Sequence, residues 1–215
     1  NPLAGIKGAS QLIESDLKNN SNLSELTQLI TIESDRIISL LDRMEHISNN
    51  NSKLECEYIN IHEILNHCRR VAQNSFGAQV DYIDDYDPSL PKLFANKNLL
   101  IQIILNLLKN SSEASSSNGK IKIKTSFNST KITSFTKEDS PTTLPLQIEI
   151  VDYGSGIPSH MLPNIFDPFI SSKKDGKGLG LSIVASGLEE MSAVINVSSE
   201  PGFTNFCINF PLIKQ

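Results

Sequence analysis

The sequence contains no tryptophan, only three cysteines and few aromatic residues, which make up 6% of its 215 positions. Cys56, Cys68 and Cys207 show no Cys-x-x-Cys spacing, so neither a redox motif nor a zinc site is indicated, and we expect small buried or half-buried thiols in a reducing compartment. No apolar run approaches the roughly 18 residues that a membrane helix needs, and no signal peptide opens the chain. The sequence therefore predicts a cytoplasmic protein without a membrane segment.

Positive charge is also scarce, since 19 Lys and Arg residues face 24 Asp and Glu residues, for a net charge of -5 and a pI near 5.4. A nucleic-acid-binding domain would carry a net basic surface, so no nucleic-acid partner is expected. Hydrophobic residues at 39% and charged residues at 20% are typical of a globular chain. The length suits one ordinary domain with a smaller helical element. The opening residues contain no starting Met, and we expect them to continue from a longer protein.

Residues 1–48 show the periodicity of two amphipathic helices, separated by a polar turn at 19–22. In the second helix, apolar residues from Leu26 to Ile47 recur every three or four positions, interrupted only by Glu33, which is the spacing of a coiled-coil seam. One hairpin alone cannot bury both apolar stripes. We therefore expect an antiparallel helical hairpin that forms a four-helix bundle with a second copy, giving a homodimer. Packing of the hairpin on its own domain is the alternative.

After the polar linker at 46–53, whose centre is 48–52, the periodicity changes, which predicts a second domain over residues 54–215. Helices capped by Asn60 and beginning near Lys97 alternate with period-two strands, so the fold class is α+β, with a mixed sheet and three helices on one of its faces. The predicted helices are 61–74, 97–114 and 182–191, and the predicted strands are 55–59, 79–86, 120–127, 146–152, 194–198 and 205–211.

Asn106 and Asn110 lie four positions apart in an otherwise apolar helix and therefore share one of its faces. Two amides in such a helix need partners if they are buried. An amide oxygen is a suitable hard ligand for a magnesium ion that accompanies nucleotide phosphates. Surface or capping asparagines are the alternative that this pair alone leaves open.

Two glycine-rich motifs lie further along the chain. Val151-Asp152-Tyr153-Gly154-Ser155-Gly156-Ile157 ends a strand in a carboxylate, which can accept a hydrogen bond from the adenine amine and repel the guanine carbonyl. Gly176-Lys177-Gly178-Leu179-Gly180-Leu181 opens a helix, where free N–H groups and the helix dipole favour phosphate. The second motif matches neither the dinucleotide fingerprint nor the P-loop. Each motif alone is weak, and a simple turn would explain the first.

Together these motifs resemble the boxes of sensor histidine kinases, in the family's order. The Asn106/Asn110 pair, the Asp152 motif, Phe166-Asp167-Pro168-Phe169 and the Gly176 motif correspond to the N, G1, F and G2 boxes. Residues 201–206 resemble the family's last box, and Asn1-Pro2-Leu3 resembles the tail of the H box, His-Glu-x-x-Asn-Pro-Leu. The resemblance covers essentially the whole chain. It implies a Bergerat-type ATP-binding sandwich at 54–215 and a dimerisation and phosphotransfer hairpin at 1–48, whose phosphoaccepting His would lie four residues before Asn1.

The resemblance implies a role for each matching position. Asn110 would ligate Mg²⁺, Asn106 would lie close to the phosphates or the metal, and Lys109 would offer charge to the phosphates. Asp152 would hold the adenine amine of ATP with help from Thr204. Asn1 would match the residue that positions water for dephosphorylating the response regulator. The other positions expected to line the nucleotide site and its lid are Gly154, Gly156, Ile157, Lys173, Gly176, Gly178, Leu179, Gly180 and Leu181.

Segments 5–9, 60–65, 110–114 and 144–146 are similar to the nitrogen-regulation branch of the family. This similarity implies ATP:histidine phosphotransfer, phosphatase activity towards an NtrC-like response regulator, and the PII signal protein as a further partner. The chain departs from the family pattern in having Tyr153 for Asn, Ser111 for Ala, and Met-Ser-Ala at 191–193 for His-Gly-Gly. None of these changes removes a group that would touch ATP.

Particular residues bear on the competing interpretations. A hydrolytic ATPase of this fold needs a carboxylate base one turn before the magnesium ligand, where this chain has Asn106. A phosphatase-dominant or non-catalytic ATP-binding scaffold keeps the same boxes and is the alternative. His62-Glu63-Ile64-Leu65-Asn66 imitates an H box, but its fifth following position is His67 rather than Pro. Helix capping by Asn60 and Glu63 explains that segment more simply.

Overall fold

The computed structural model describes residues 30, 55–115, 119–128, 143–172 and 178–212. The chain divides into two units, Asn1–Leu54 and Glu55–Gln215, and all described residues except Ile30 belong to the second unit. The predicted hairpin of residues 1–48 lies outside the described residues except for Ile30, which is helical. Its role in dimerisation and the two predicted domain ranges therefore stay predictions.

Seven strands and three α-helices lie in the described part of the second unit, and we number them in chain order. They are β1 (Glu57–Ile59), α1 (Ile61–Gln73), β2 (Asp81–Asp85), β3 (Leu93–Ala95), α2 (Lys97–Ala114), β4 (Lys120–Phe127), β5 (Leu146–Asp152), a 3₁₀ turn (Leu162–Asn164), α3 (Gly180–Glu190), β6 (Val194–Glu200) and β7 (Phe203–Phe210).

Five strands form one mixed sheet in the order β2-β4-β5-β7-β6. β2 and β4 are parallel, and the other neighbours are antiparallel. Alternate residues of the central strands are fully or almost fully buried on the side that carries the helices: Ile121, Ile123, Ile148, Ile150, Phe206 and Ile208. β1 and β3 pair separately as a small antiparallel sheet. The predicted mixed sheet with three helices is confirmed.

The apolar face of α2 supplies the centre of this core. Leu100, Ile103, Ile104, Leu107 and Leu108 are completely buried, and each such side chain contributes about 1.5–3 kcal/mol relative to an exposed position. The N–H of Leu99 donates to the side-chain oxygen of Asn96 at 2.9 Å, which caps the helix start. Helix α2 packs between α1 and α3.

The predicted and observed bounds of the elements agree best where the sequence periodicity is strong. Helix α2 and strands β4 and β5 begin and end where the sequence predicts. Asn60 caps α1 by accepting from the N–H of His62 at 3.0 Å. Glu63 accepts from the side-chain amide of Asn60 at 3.3 Å rather than from its backbone N–H, so the predicted capping box is only half formed. The three-residue strand β3 was not predicted, because its partner β1 is distant in sequence.

The cysteine prediction needs one correction. Cys68 and Cys207 are buried, as expected, but Cys56 is exposed because it precedes the short strand β1. Burial raises the pKa of the Cys68 thiol to about 12, so it stays protonated and unreactive at neutral pH. Within the described ranges, no three His, Cys, Asp or Glu side chains are grouped so that they could hold a metal ion. No described helix combines the length and apolar character needed to cross a membrane.

Ser111 stands where the family pattern has alanine, and its side chain is a local defect in the core. It is completely buried, and its hydroxyl oxygen has no hydrogen-bond partner among the described residues. A buried hydroxyl without a partner costs about 1–3 kcal/mol, and alanine is also the better helix former. We expect Ser111→Ala to raise the free energy of unfolding by about 1 kcal/mol in urea titration.

The adjacent Ser112 is the matched control. Its hydroxyl lies 3.3 Å from the hydroxyl of Tyr82, so Ser112→Ala removes a hydrogen bond instead of a defect. We expect this substitution to lower the free energy of unfolding by about 0.5–1.5 kcal/mol. Equal effects of the two substitutions would show that helix propensity, and not the unsatisfied hydroxyl, determines the stability change.

Candidate functional site

Asp152 is the last residue of β5 and is 1% exposed. It lies opposite Thr204 of β7, which is 2% exposed, and both side chains share the helix-covered side of the sheet with Ile150 and Phe206. A carboxylate at such a depth is costly unless it accepts hydrogen bonds. The N–H of Gly154 donates to Asp152 Oδ1 at 3.0 Å. The turn after β5 therefore fixes the orientation of this carboxylate.

Gly154 also brings this turn against the end of α2. A Cβ at this position would collide with the carbonyl of Ala114 and would lie 2.9 Å from Asp152 Oδ1. The N–H of Ser155 donates to that same Ala114 carbonyl at 3.1 Å. Because only glycine permits the approach, Asp152 is locked to the carboxyl end of the helix that carries Asn106 and Asn110.

The far end of the turn docks on β6. Gly156 has a φ of +76°, and a Cβ there would collide with the carbonyl of Glu200. The N–H of Ile157 donates to the hydroxyl of Ser199 at 2.8 Å. Ser199 was not predicted as a site residue, although its alternation in β6 places it opposite Thr204. The predicted residues Asp152, Gly154, Gly156, Ile157 and Thr204 thus form one continuous wall.

The two asparagines of α2 face the beginning of α3. Both are half-buried, and a Cβ added to Gly180 would lie 3.8 Å from Asn110 Nδ2 and 3.9 Å from Asn106 Oδ1. Leu179, at the N-cap of α3, offers no side-chain cap. Within the described part of the chain, the first N–H groups of the helix are therefore available to an anion, whose charge the helix dipole favours. The predicted residues Asn106, Asn110 and Gly180 meet at one place.

The F-box and G2-box residues also touch. The N–H of Phe169 donates to the carbonyl of Gly178 at 2.8 Å. Gly178 has a φ of +64°, and a Cβ there would collide with the backbone of Phe169. Phe169 itself has a φ of +69°, an unusual conformation for a bulky residue, which indicates that surrounding contacts hold it.

The remaining predicted positions are Lys109, two leucines that flank Gly180, and three residues outside the described ranges. Lys109 is exposed, with its ammonium 3.9 Å from a carboxylate oxygen of Glu113. Its contact with phosphates stays a prediction. Leu179 and Leu181 are half-buried beside Gly180. Asn1, Lys173 and Gly176 lie outside the described residues.

His62, whose neighbours imitate an H box, contacts residues away from the candidate nucleotide site. Its Nε2 lies 3.1 Å from the hydroxyl of Thr125, and its ring stacks on Tyr86 with centroids 5.0 Å apart. Thr125 is four residues along β4 from Ile121, which pairs with Asp152. At about 3.3 Å per residue, this places His62 on the order of 13 Å from the Asp152 end of the sheet.

A mixed sheet under three helices, with a carboxylate at a strand end and amides facing a glycine-led helix, defines an ATP-binding domain of the kind shared by kinases and ATPases. Residues 95–214, more than half of the chain, match the family described as histidine kinase-, DNA gyrase B-, and HSP90-like ATPase. The chain belongs to this family.

Within the family, the chain is similar over its whole length to sensory histidine kinase/phosphatases of the NtrB type. It is 41% identical to NtrB of Azospirillum brasilense over 216 aligned residues, which cover 100% of this chain and 53% of that protein. With NtrB of Rhodobacter capsulatus the identity is also 41%, covering 100% of this chain and 59% of the relative. The chain therefore spans a little over half the length of these relatives.

A solved structure shares the fold. The catalytic domain of the histidine kinase ThkA superposes with a TM-score of 0.59 at 24% identity, over 73% of this chain and 95% of that domain.

Proposed function

We propose that this chain binds Mg·ATP and transfers the γ-phosphoryl group to a histidine of a two-component sensor kinase's dimerisation hairpin. The observation that carries the proposal is the meeting of Asn106 and Asn110 with Gly180 at the open N-terminus of α3. The Gly154 turn ties the same helix α2 to the buried carboxylate of Asp152. In this proposal, one nucleotide places its base at Asp152 and its phosphates at the N-terminus of α3.

At the base end, the Asp152 carboxylate accepts a hydrogen bond from the exocyclic amine of adenine. Guanine carries a carbonyl at that position, and two acceptors repel each other. Since Asp152 is 1% exposed, water does not screen this discrimination. The buried hydroxyl of Thr204 lies beside it as a second polar group.

At the phosphate end, Mg²⁺ is supported by the chemistry of the donor set. Asn110 would ligate the ion through its amide oxygen, with Asn106 beside it, and glycine at 180 leaves space in front of both amides. Bound Mg²⁺ supplies charge neutralisation for the phosphates. The N–H groups of α3 orient the phosphates, and phosphoryl transfer depends mainly on such positioning. Lys109, Lys173 and Gly176 complete this end in the proposal.

Asn106 occupies the position where hydrolytic members of the fold need a carboxylate base. An amide cannot take a proton from water. The geometry therefore favours transfer to a protein side chain over direct hydrolysis of ATP.

The proposed partners are those that the sequence resemblance to the nitrogen-regulation branch implies. A response regulator of NtrC type would receive the phosphoryl group on an aspartate, and the PII protein would be a further partner in nitrogen regulation. Residues 1–48 would form the homodimer, and Asn1 would position water when the response regulator is dephosphorylated. The alternative is a phosphatase-dominant or non-catalytic scaffold that binds ATP by the same contacts.

Two measurements test the proposal. Titration calorimetry should show ATP binding that strengthens with Mg²⁺. Incubation with radiolabelled ATP and a separate dimerisation domain carrying an intact H box should place acid-labile label on that domain. ATP binding without any label on the supplied domain would favour the scaffold alternative. Acid-labile label on this chain, abolished by His62→Ala, would instead place the acceptor within α1.

A further inference from the structure

Ser199 is a half-buried residue of β6 whose hydroxyl contacts three residues at the adenine end. Its hydroxyl lies 2.8 Å from the backbone nitrogen of Ile157, 3.0 Å from the carbonyl oxygen of Phe203 and 2.9 Å from the hydroxyl of Thr204. The first contact belongs to the turn after β5, and the other two belong to β7. The Ser199 side chain therefore fixes both the turn after β5 and the beginning of β7, on either side of Asp152.

The hydrogen count of this cluster assigns the direction of every bond. Ser199 has one hydroxyl proton, and the carbonyl of Phe203 can only accept, so that proton is donated to Phe203. The N–H of Ile157 can only donate, and it occupies one lone pair of the Ser199 oxygen. The second lone pair accepts the hydroxyl proton of Thr204. Thr204 Oγ1 is left with acceptor capacity only.

We infer that Ser199 is a positioning residue for base selection, acting through the orientation of the Thr204 hydroxyl; this rests on the proposed function. By taking the proton of Thr204, it turns that buried oxygen into an acceptor next to the Asp152 carboxylate. Two acceptors side by side favour the 6-amino group of adenine and disfavour a 6-carbonyl. The same hydroxyl holds the N–H of Ile157, so the turn that orients Asp152 is fixed together with Thr204.

Inosine triphosphate is the sharpest probe, because it replaces the 6-amino group by a carbonyl without adding a 2-amino group. In Ser199→Ala the proton of Thr204 is no longer held and can be donated to that carbonyl. We expect the Kd for ATP to rise about three- to tenfold, the effect of one or two lost hydrogen bonds. The Kd for inosine triphosphate should rise less or fall, so the preference for ATP shrinks at least about threefold.

Two variants complete the design. Ser198→Ala changes an exposed serine on the other face of the same strand and should leave both Kd values unchanged. Ser199→Thr keeps a hydroxyl and should restore the preference for ATP. If Ser199→Ala weakens the binding of ATP and of inosine triphosphate by the same factor, Ser199 has only a structural role and the inference is overturned. Failure of the unaltered chain to bind ATP would instead overturn the proposed function.

Discussion

Replacing Asp152 by asparagine should weaken ATP binding about ten- to a hundredfold. A hydrogen bond to a charged group is worth about 1.5–3 kcal/mol, and each 1.4 kcal/mol is a factor of ten in Kd. The amide keeps one oxygen, so the N–H of Gly154, now 3.0 Å from Asp152 Oδ1, retains its acceptor. The turn should therefore persist while the acceptor for the adenine amine becomes weaker and half of the side chain becomes a donor.

Calorimetry with ATP and GTP measures the effect directly. Asp85 provides the control, because it is an exposed aspartate whose carboxylate lies 2.7 Å from the ammonium of Lys122 at the sheet edge. Asp85→Asn should leave nucleotide affinity unchanged. GTP bound as tightly as ATP by the unaltered chain would contradict the adenine assignment, whatever the variants show.

Long, strongly periodic elements were predictable from the sequence because burial on one face imposes their pattern. Helix α2 repeats apolar residues every three or four positions, and β4 alternates buried isoleucines with lysines. Both therefore begin and end at the predicted residues. The fold then brings Asn106 and Asn110 of α2 to the beginning of α3, next to Gly180.

What the sequence did not reveal depends on contacts between distant segments. The strand β3 is defined by its pairing with β1, and Ser199 gains its importance only when Ile157 and Thr204 lie beside it. The positive φ of Phe169 likewise needs the approach of Gly178. Local propensity carries no information about such partners, because a lone serine in a strand resembles any solvated one.

Glycine spacing gave the strongest hint of function, yet the structure shows that these glycines act differently. Gly154 and Gly156 are required because backbone carbonyls of Ala114 and Glu200 occupy the space of a side chain. At Gly180 a Cβ would meet its nearest neighbour at 3.8 Å, which is ordinary contact. The first two glycines are needed by the fold, whereas the third keeps open a space that the described residues do not fill.

Gly180→Ala should therefore separate binding from folding. The methyl group fits among the described residues, and replacing glycine by alanine in a helix stabilises a protein by about 0.4–1 kcal/mol through the unfolded chain. The same methyl group stands in front of Asn106 and Asn110, where the phosphates are proposed to lie. We expect the Kd for Mg·ATP to rise about tenfold or more, equivalent to at least ~1.4 kcal/mol, while urea titration shows equal or greater stability.

Gly187 is the matched control on the same helix. It lies about two turns further along α3, and a Cβ there would be 3.0 Å from the terminal methyl groups of Ile103 and Leu99 in the core. The gain in helix propensity then opposes the cost of overpacking, which is about 1–3 kcal/mol when neighbours cannot move. Gly187→Ala should change the free energy of unfolding by the difference between these two effects, while the Kd for ATP stays the same. If Gly180→Ala binds Mg·ATP as the unaltered chain does, the phosphates do not lie at the start of α3, and the assignment of Asn106 and Asn110 fails with it.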